Sequence, residues 1–521
     1  MKKWLPLWLV SLYLALFVNE TSSLLWGSCA LLFTYSLFWV SLAFLQKTSS
    51  RVASSLVWTM LSYLWSVRWL CTTEYHGRAM LLGYFLVVLI FSVPTALCFS
   101  RIGRGRSSFY LVFVALFEVA KLWIVCGFPF NPLARLLLFH PLLSNLASLG
   151  GVGGLVLFFL YLNYTVFLVL IEPSRCRLLG ACAFLVGGLF LGQGVESLPV
   201  QTLEPLSVLM VQTGARPEEK NFLKGKEAVF QDGFTQWESV LDLIESGLHS
   251  DHPDLIVLPE AVNTYDAREP LYTFGQLASH SLSDTVSARL YSNLDIAGRI
   301  ARKYQTYVLA NLYDREGENA FCRAFLIAPD QHIVDSYDKK MLVPIAEYIP
   351  FSFLKRIAGW YDIGGACTAG ERPTVFDFKT PFGVSICYEE GFGYWLQKMR
   401  RGGAKLFINL SNDGWFPDSN LPYEHELLGK LRSIENGICS LRVTNHGSSV
   451  LLDERGQALF RLPYSDASFT KASGVVTFTP RIRNTLYGRW GEMPFFLTAI
   501  LTLATLAFFK KPKFRLIFRK D

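Results

Sequence analysis

The first 200 residues consist mostly of long apolar segments separated by short polar loops. A helix needs about 20 apolar residues to cross the hydrocarbon core of a bilayer. Most of the apolar segments have about this length, and so many in succession disfavour a soluble helical core. Seven segments precede residue 200 and one lies near the C-terminus: residues 4–18, 24–45, 55–71, 79–100, 108–127, 143–171, 178–196 and 493–509. The sequence therefore predicts a multi-pass α-helical membrane domain.

The first apolar segment raises the alternative of a secretory signal peptide. Residues 4–18 follow Lys2 and Lys3, as the apolar part of such a peptide would. However, they carry no clear small-x-small cleavage site, and further apolar segments follow at once. We interpret them as an uncleaved first helix.

Basic residues in the short loops predict how the chain is oriented. They cluster in alternate loops, at 2–3, 47–51, 101–106 and 175–177, and again in the tail 510–520. By the positive-inside rule these loops face the cytoplasm. Seven spans then place residue 200 on the other side, and the eighth returns the chain. The predicted domains are a membrane domain at 1–200, an extracytoplasmic domain at 201–485, and a last helix with a basic tail at 486–521.

The middle of the chain has the composition and the sequence pattern of a globular domain. The chain as a whole is 51% hydrophobic, but this excess lies in the predicted spans. From Leu206 to about Pro480, short β-rich runs alternate with amphipathic helical patterns. This alternation predicts an α/β layered domain.

Three chemically active side chains follow predicted strands in this domain. Cys387 follows the apolar run 384–386, Glu260 ends the run 255–258, and Lys339 ends a third strand. A carboxylate, a lysine and a thiol at strand ends can form an acyl-transfer site, with a base, a charge stabiliser and a nucleophile. Taken alone, a cysteine at a strand end is more often a small buried hydrophobe. The three contexts together favour the site.

Charge and cysteine spacing exclude several other functions. The net charge of +7 is modest, and the middle region has no run of Lys and Arg that would suggest nucleic acid. The ten cysteines show no CxxC or Cys/His spacing of a zinc site, and we expect no cofactor. If Cys387 stays free, at most one disulfide can form among Cys322, Cys367 and Cys439.

Several motifs together resemble the nitrilase superfamily. They are Leu-Pro-Glu at 258–260, Tyr-x-Lys-x-x-Leu-Val-Pro at 337–344 and Ile-Cys-Tyr-Glu at 386–389. Asn-Leu-Ser-Asn-Asp-Gly-Trp-Phe at 409–416, His425, Arg-Ser-Ile-Glu at 432–435 and Arg-Val-Thr-Asn-His-Gly at 442–447 strengthen the likeness. With the apolar segments, the chain resembles the membrane-embedded N-acyltransferases of this superfamily over nearly its whole length.

The resemblance implies a fold, a set of roles and two lipid substrates. The fold would be the four-layer α-β-β-α sandwich of the nitrilases. Glu260 would be the general base, Lys339 the oxyanion stabiliser and Cys387 the nucleophile. The supporting residues would be Glu347, Tyr388 and Glu389. A phospholipid similar to phosphatidylethanolamine would give an acyl chain to the thiol. The thioester would then acylate the α-amino group of a lipoprotein's S-diacylglyceryl-cysteine, with the enzyme in a bacterial inner membrane and its catalytic domain in the periplasm.

Two further predictions concern substrate contacts. Residues 351–361 place several apolar side chains on one face if they are helical, among them Trp360. This face is either core packing or an apolar lid that meets the bilayer and admits acyl chains. Trp360 and Trp415 are the predicted substrate-binding residues.

One pair of charges lies inside the fifth predicted span. Glu118 and Lys121 are one helical turn apart and are expected to pair. They either mark a functional site within the membrane or snorkel to its outer face. The resembled enzymes have Glu-x-x-Arg and Gly-Phe-Pro-Trp here, whereas this chain has Lys121 and Phe130. A lysine does not offer the bidentate contacts of a guanidinium.

Two alternative functions remain open. A membrane-tethered amidohydrolase of the nitrilase type would use the same three residues, although one anchor would suffice for it. A non-enzymatic lipid-binding protein or transporter with a degenerate domain is the other alternative, and the intact set of three residues disfavours it.

Overall fold

The chain forms two compact units in the structure, a computed structural model. The helical unit contains Met1–Pro199 and Thr485–Asp521, and the α/β unit contains Val200–Asn484. The structure describes residues 4–16, 24–75, 77–124, 127–130, 133–221, 223, 226–248, 252–282, 288–349, 367–465 and 468–508.

The helical unit is built from the apolar segments. Its described helices are Leu5–Leu16, Leu24–Ala43, Thr48–Ser66, Ala79–Phe99, Ser107–Ala120, Ala147–Ile171, Arg175–Glu196, Leu486–Trp490 and Met493–Phe508, with 3-10 turns at Arg68–Cys71, Arg135–Phe139 and Leu143–Leu146. Within the described part of the chain, the helices long and apolar enough to cross a membrane are Met80–Phe99, Leu143–Ile171 and Arg175–Glu196. Shorter apolar helices accompany them at Leu5–Leu16, Cys29–Ala43, Ser107–Ala120 and Met493–Phe508. Several apolar helices compatible with a membrane domain are thus present, as predicted.

The third helix begins earlier than its apolar pattern suggested. It runs from Thr48 to Ser66, and a 3-10 turn follows at Arg68–Cys71. The reason is Arg51, which is buried and donates hydrogen bonds to three backbone carbonyls, those of Leu42, Ser100 and Ile102. These carbonyls satisfy the guanidinium, so a charged residue lies inside the helix.

The α/β unit contains two six-stranded mixed sheets and a short two-stranded one. Their orders are β13-β2-β3-β4-β5-β6, β12-β11-β10-β9-β8-β7 and β1-β14. The strands are β1 Val200–Thr202, β2 Leu206–Gln212, β3 Leu255–Val257, β4 Tyr307–Glu316, β5 Asn319–Ile327, β6 Ile333–Asp338, β7 Val375–Phe376, β8 Phe382–Ile386, β9 Leu406–Ser411, β10 Cys439–Thr444, β11 Val450–Leu452, β12 Ala458–Arg461, β13 Ala472–Phe478 and β14 Arg481–Arg483. The pairs β2–β3, β3–β4, β8–β9 and β9–β10 are parallel.

Helices cover the outer faces of the two large sheets. They are Gly233–Leu248, Asn293–Tyr304, Gly393–Arg401 and Leu421–Asn436, and two shorter helices lie at Pro217–Lys220 and Phe274–Ser279. Apolar residues of Gly233–Leu248 and Asn293–Tyr304, such as Trp237 and Ile300, form one buried core with Leu209 of β2. The other two long helices contact β8 and β10, and β10 contacts β2. This is the α-β-β-α arrangement that the resemblance implied, and it brings the ends of β3, β6 and β8 to one region.

Candidate active site

Glu260 lies three residues beyond β3, in a backbone turn held by two side chains. Ala261 adopts a left-handed conformation with φ of 45°, which is unusual for a residue with a Cβ. Its N–H donates to Asn311 Oδ1 over 2.7 Å, and its carbonyl accepts from the ammonium of Lys220. Because both peptide groups of Ala261 are satisfied, the turn is fixed and the adjacent Glu260 side chain is directed into the interior, where it is 8% exposed.

Lys339 follows β6 directly and is fully buried. Its backbone N–H donates to Cys322 O over 2.9 Å, which continues the pairing of β6 with β5. Its ammonium lies 3.0 Å from Glu260 Oε1 and 2.6 Å from Glu347 Oε1. One lysine therefore holds two carboxylates.

Glu347 comes from the loop that follows Lys339. Its Oε2 accepts from the N–H of Val343 over 2.8 Å, and its own N–H donates to Val343 O over 2.9 Å. Ile345, inside this turn, has φ of 71°. The turn presents the other carboxylate oxygen of Glu347 to Lys339, and the supporting role of Glu347 stays a prediction.

Cys387 lies at the end of β8 with φ of 51°. A non-glycine residue in this conformation stores local strain of roughly 1–2 kcal/mol, as residues at reactive sites often do. The charge of Glu260 acts on the thiol of Cys387 and raises the pKa of that thiol. The carboxylate of Glu260 thus acts on both the thiol and Lys339.

Glu389 connects the residues around Lys339 to the end of β8, next to Cys387. Its Oε1 accepts from Tyr337 Oη and from the N–H groups of Lys340 and Met341, over 2.8, 2.5 and 2.9 Å. Its Oε2 accepts from the N–H of Ile386 over 2.8 Å. Although these donors favour the charged form, burial raises the pKa of Glu389 to about 7. Its contacts fix the backbone on either side of the reactive groups rather than the groups themselves.

Burial and the charges of the site raise the pKa of the Cys387 thiol and so favour its protonated form. Burial and the charge of Glu260 raise the pKa of the Cys387 thiol, and Lys339 only partly offsets this effect. Although burial alone would lower it, the two carboxylates of Glu260 and Glu347 raise the pKa of Lys339. Burial and Glu347 raise the pKa of Glu260. A proton is therefore available on the thiol and an acceptor lies next to it, the arrangement of general base catalysis.

The other predicted site residues are placed less closely. Tyr388 is buried beside Cys387, and its ring packs edge-on against Phe392 at 5.1 Å. Trp415 ends a short turn at Asp413–Trp415 and is partly exposed, and its contact with substrate stays a prediction. Trp360 and the segment 351–361 lie outside the described residues.

Sequence reasoning missed several buried charged groups around the site. Asp413 and Arg442 belong to motifs that carried the resemblance, yet no role was assigned to them, and Glu390 received none either. All three are buried, and Arg442 pairs with both carboxylates. The sequence does not predict the place of Lys220 at the site, because this residue lies 40 residues before Glu260 and reaches Ala261 only through the tertiary fold.

Comparisons with known proteins find relatives of the α/β unit and of the whole chain. Residues 219–473 match the model of the carbon-nitrogen hydrolase family. Apolipoprotein N-acyltransferase of Chlamydia pneumoniae is 28% identical over 516 residues, which cover 93% of this chain and 92% of that protein. The protein of the same name from Haemophilus influenzae is 25% identical over 88% of this chain and 86% of its own length. Among solved structures, Nit3 of Saccharomyces cerevisiae, a member of branch 10 of the nitrilase superfamily, is 17% identical and covers 53% of this chain and 90% of its own, with a TM-score of 0.38.

The α/β unit is thus a carbon-nitrogen hydrolase domain, joined in one chain to a unit of apolar helices. Apolipoprotein N-acyltransferases are homologues of this chain across more than nine tenths of its length. It is an enzyme of the acyltransferase class.

Proposed function

We propose that this enzyme moves an acyl chain from a phospholipid to the N-terminal S-diacylglyceryl-cysteine of a lipoprotein, through a thioester on Cys387. The observation that carries the proposal is the contact of Lys339 with Glu260, together with the effect of the Glu260 charge on the thiol of Cys387. A base, a cation and a nucleophile then belong to one interacting cluster, as acyl transfer requires.

In the first half-reaction the thiol attacks the ester carbonyl of the phospholipid. Glu260 takes the thiol proton as the C–S bond forms, because the resting thiol is not ionised. Lys339 and the N–H of Tyr388 stabilise the negative oxygen of the tetrahedral intermediate. The ester C–O bond then breaks, and Glu260 returns the proton to the departing oxygen of the lysophospholipid.

In the second half-reaction the α-amino group of the lipoprotein attacks the thioester. Glu260 takes a proton from this amine as the C–N bond forms. The C–S bond breaks, and the proton returns to the sulfur of Cys387. The products are an amide and the free enzyme, so atoms and charges balance over the two steps.

The helical unit supports lipid substrates rather than small soluble amides. Both the donor and the acceptor are anchored in a bilayer, and an enzyme with several apolar helices meets them there. We also propose that 1–200 is a membrane domain with seven spans, that 201–485 faces the periplasm, and that the last helix in 486–521 returns the chain to the cytoplasm. Reporter fusions after residues 103 and 521 should then read cytoplasmic, whereas a fusion near residue 220 should read periplasmic. A cytoplasmic signal at 220 would reject this topology.

The proposal is tested by following the acceptor. Purified enzyme is incubated with phosphatidylethanolamine vesicles and a diacylated lipopeptide, and the lipopeptide is weighed by mass spectrometry. We expect the mass of one acyl chain to be added to its α-amino group. Cys387→Ala should give no product, whereas Cys439→Ala, at another buried cysteine of the same unit, should remain active. Release of free fatty acid without an acylated lipopeptide would reject acyl transfer and favour the amidohydrolase alternative.

A further inference from the structure

The backbone carbonyl of the nucleophile is held by side chains from two other elements. His425 Nε2 lies 3.0 Å from Cys387 O, and Asn409 Nδ2 donates to the same oxygen over 3.3 Å. His425 belongs to the helix Leu421–Asn436 and Asn409 to β9. Both side chains are buried. The peptide that follows Cys387 is therefore fixed by parts of the fold outside its own turn.

The other ring nitrogen of His425 faces a carboxylate. Nδ1 lies 2.8 Å from Asp413 Oδ1, and Arg442 Nη2 donates to Asp413 Oδ2 over 2.9 Å. Although burial would raise the pKa of Asp413, the charges of Arg442 and His425 lower it to about 2, so this carboxylate only accepts. A carbonyl lies at one ring nitrogen and a carboxylate at the other. Because the carbonyl oxygen of Cys387 can only accept, Nε2 of His425 is the donor to it.

We propose that His425 is a positioning residue that aims the N–H of Tyr388 at the oxyanion formed on Cys387. In a trans peptide group the C=O and the following N–H lie in one plane and point in opposite directions. Fixing Cys387 O on His425 therefore fixes the direction of the Tyr388 N–H. The hydrogen bond also stabilises the left-handed conformation of Cys387, which is otherwise unfavourable. The inference rests on the proposed thioester function, because the oxyanion forms only when Cys387 attacks a carbonyl.

The test compares replacements of His425 that keep or remove a hydrogen-bond donor. His425→Phe removes the donor, whereas His425→Gln retains an amide N–H that can reach Cys387 O. The full-length enzyme is mixed with phosphatidylethanolamine vesicles, and the rate of acyl-enzyme formation is followed by intact-protein mass spectrometry. We expect His425→Phe to lower the limiting rate about 10- to 100-fold, less than the roughly 10²–10³ of an outright loss of an oxyanion donor. KM for the vesicle lipid should not change, and His425→Gln should recover most of the rate.

Alkylation of Cys387 by iodoacetamide separates positioning from a structural role. This reaction uses the same sulfur but forms no oxyanion on a carbonyl, so it should be nearly unaffected in His425→Phe. His280→Phe, at a partly exposed histidine beside Glu238 in the same unit, is the matched control and should behave as the wild type. If His425→Phe does not fold, His425→Met provides a flexible replacement that also lacks a donor.

Two outcomes would overturn the inference. One is a parallel loss of alkylation and acylation, which would mean that His425 acts on the thiol or on folding. The other is equal impairment in the Gln and Phe variants, which would mean that the hydrogen bond is not what matters. A wild-type enzyme that forms no acyl-enzyme would instead reject the proposed function, so the two failures can be told apart.

Discussion

Both units of the protein bury a lysine beside a carboxylate, and the two clusters differ in how their charges balance. In the helical unit, Lys121 Nζ lies 3.0 Å from Glu118 Oε1, and both side chains are buried. Glu118 also accepts from the N–H of Leu133 over 3.1 Å. The rings of Tyr63 and Phe91 lie 5.6 and 5.3 Å from the ammonium. Lys121 thus contacts one carboxylate, with aromatic faces around its ammonium.

The cluster in the α/β unit is not balanced in this way. Lys339 contacts two carboxylates, and the charge of one of them, Glu260, raises the pKa of the Cys387 thiol. A balanced buried pair is satisfied by its partner and has no reason to exchange a proton. Two carboxylates around one lysine, by contrast, include a buried carboxylate that can accept a proton. Such a group is typical of a reactive site. From this difference we predict a structural role for the pair in the helices and a chemical role for the cluster in the α/β unit.

Replacing the two lysines gives the largest expected difference. Lys339→Met leaves Glu260 and Glu347 buried without their cation and removes the oxyanion stabiliser. We expect acyl transfer to fall by about 10²–10³ or more. Lys121→Met should lower the free energy of unfolding by roughly 3–5 kcal/mol, because Glu118 loses its partner, while the folded fraction keeps its activity. Rates per folded molecule and thermal unfolding measure the two effects. A folded but inactive Lys121→Met enzyme would show that the helical pair has a chemical role.

Glu347→Gln sharpens the comparison inside the unbalanced cluster. The amide can still accept from the N–H of Val343, but it then turns a donor toward Lys339. The loss of a charged hydrogen bond, worth about 1.5–3 kcal/mol, should lower the rate of acylation by roughly 10- to 100-fold. Glu260→Gln should lower it further, because the base itself is lost. Equal rates for the two variants in single-turnover experiments would contradict the assignment of Glu260 as the base.

The smallest expected effect is a dependence of stability on pH. Burial lowers the pKa of Lys220 to about 8, although Glu260 acts against this. Between pH 8 and the usual lysine pKa of 10.5, the folded state therefore binds fewer protons than the unfolded state. This group makes the free energy of unfolding rise with pH across that window, by up to about 1.4 kcal/mol per pH unit. Thermal unfolding from pH 8 to 10 should show a steeper rise in the wild type than in Lys220→Met. Parallel curves of stability against pH for the two proteins would contradict the assignment of this rise to Lys220.

The strand-end positions of the site were readable from the sequence, because apolar runs followed by polar residues mark where strands stop. This pattern was enough to locate Glu260, Lys339 and Cys387, and the pairing of Glu118 with Lys121 followed from helical spacing. Both side chains of this pair are buried in the helical unit, and the choice between a functional site and snorkelling stays a prediction.

Other features of the site were not readable from local sequence. Ala261, Ile345 and Cys387 adopt positive φ without being glycine. Their residue types therefore do not predict these backbone conformations. Lys220 reaches its partner, the carbonyl of Ala261, only through the tertiary fold. The same holds for the contact of His425 with the carbonyl of Cys387, which joins a helix to a strand end 38 residues away. Such contacts become visible only when the sheets are assembled.

The central claim is that Cys387 carries the acyl chain between the two lipids. Its most direct test is the intact mass of the enzyme after incubation with phospholipid vesicles alone. We predict an added mass of one acyl chain on Cys387, removable by neutral hydroxylamine and discharged when a diacylated lipopeptide is added. Cys387→Ala should show no added mass. An unmodified Cys387 in the wild type, together with undiminished acyl transfer by Cys387→Ala, would contradict the account.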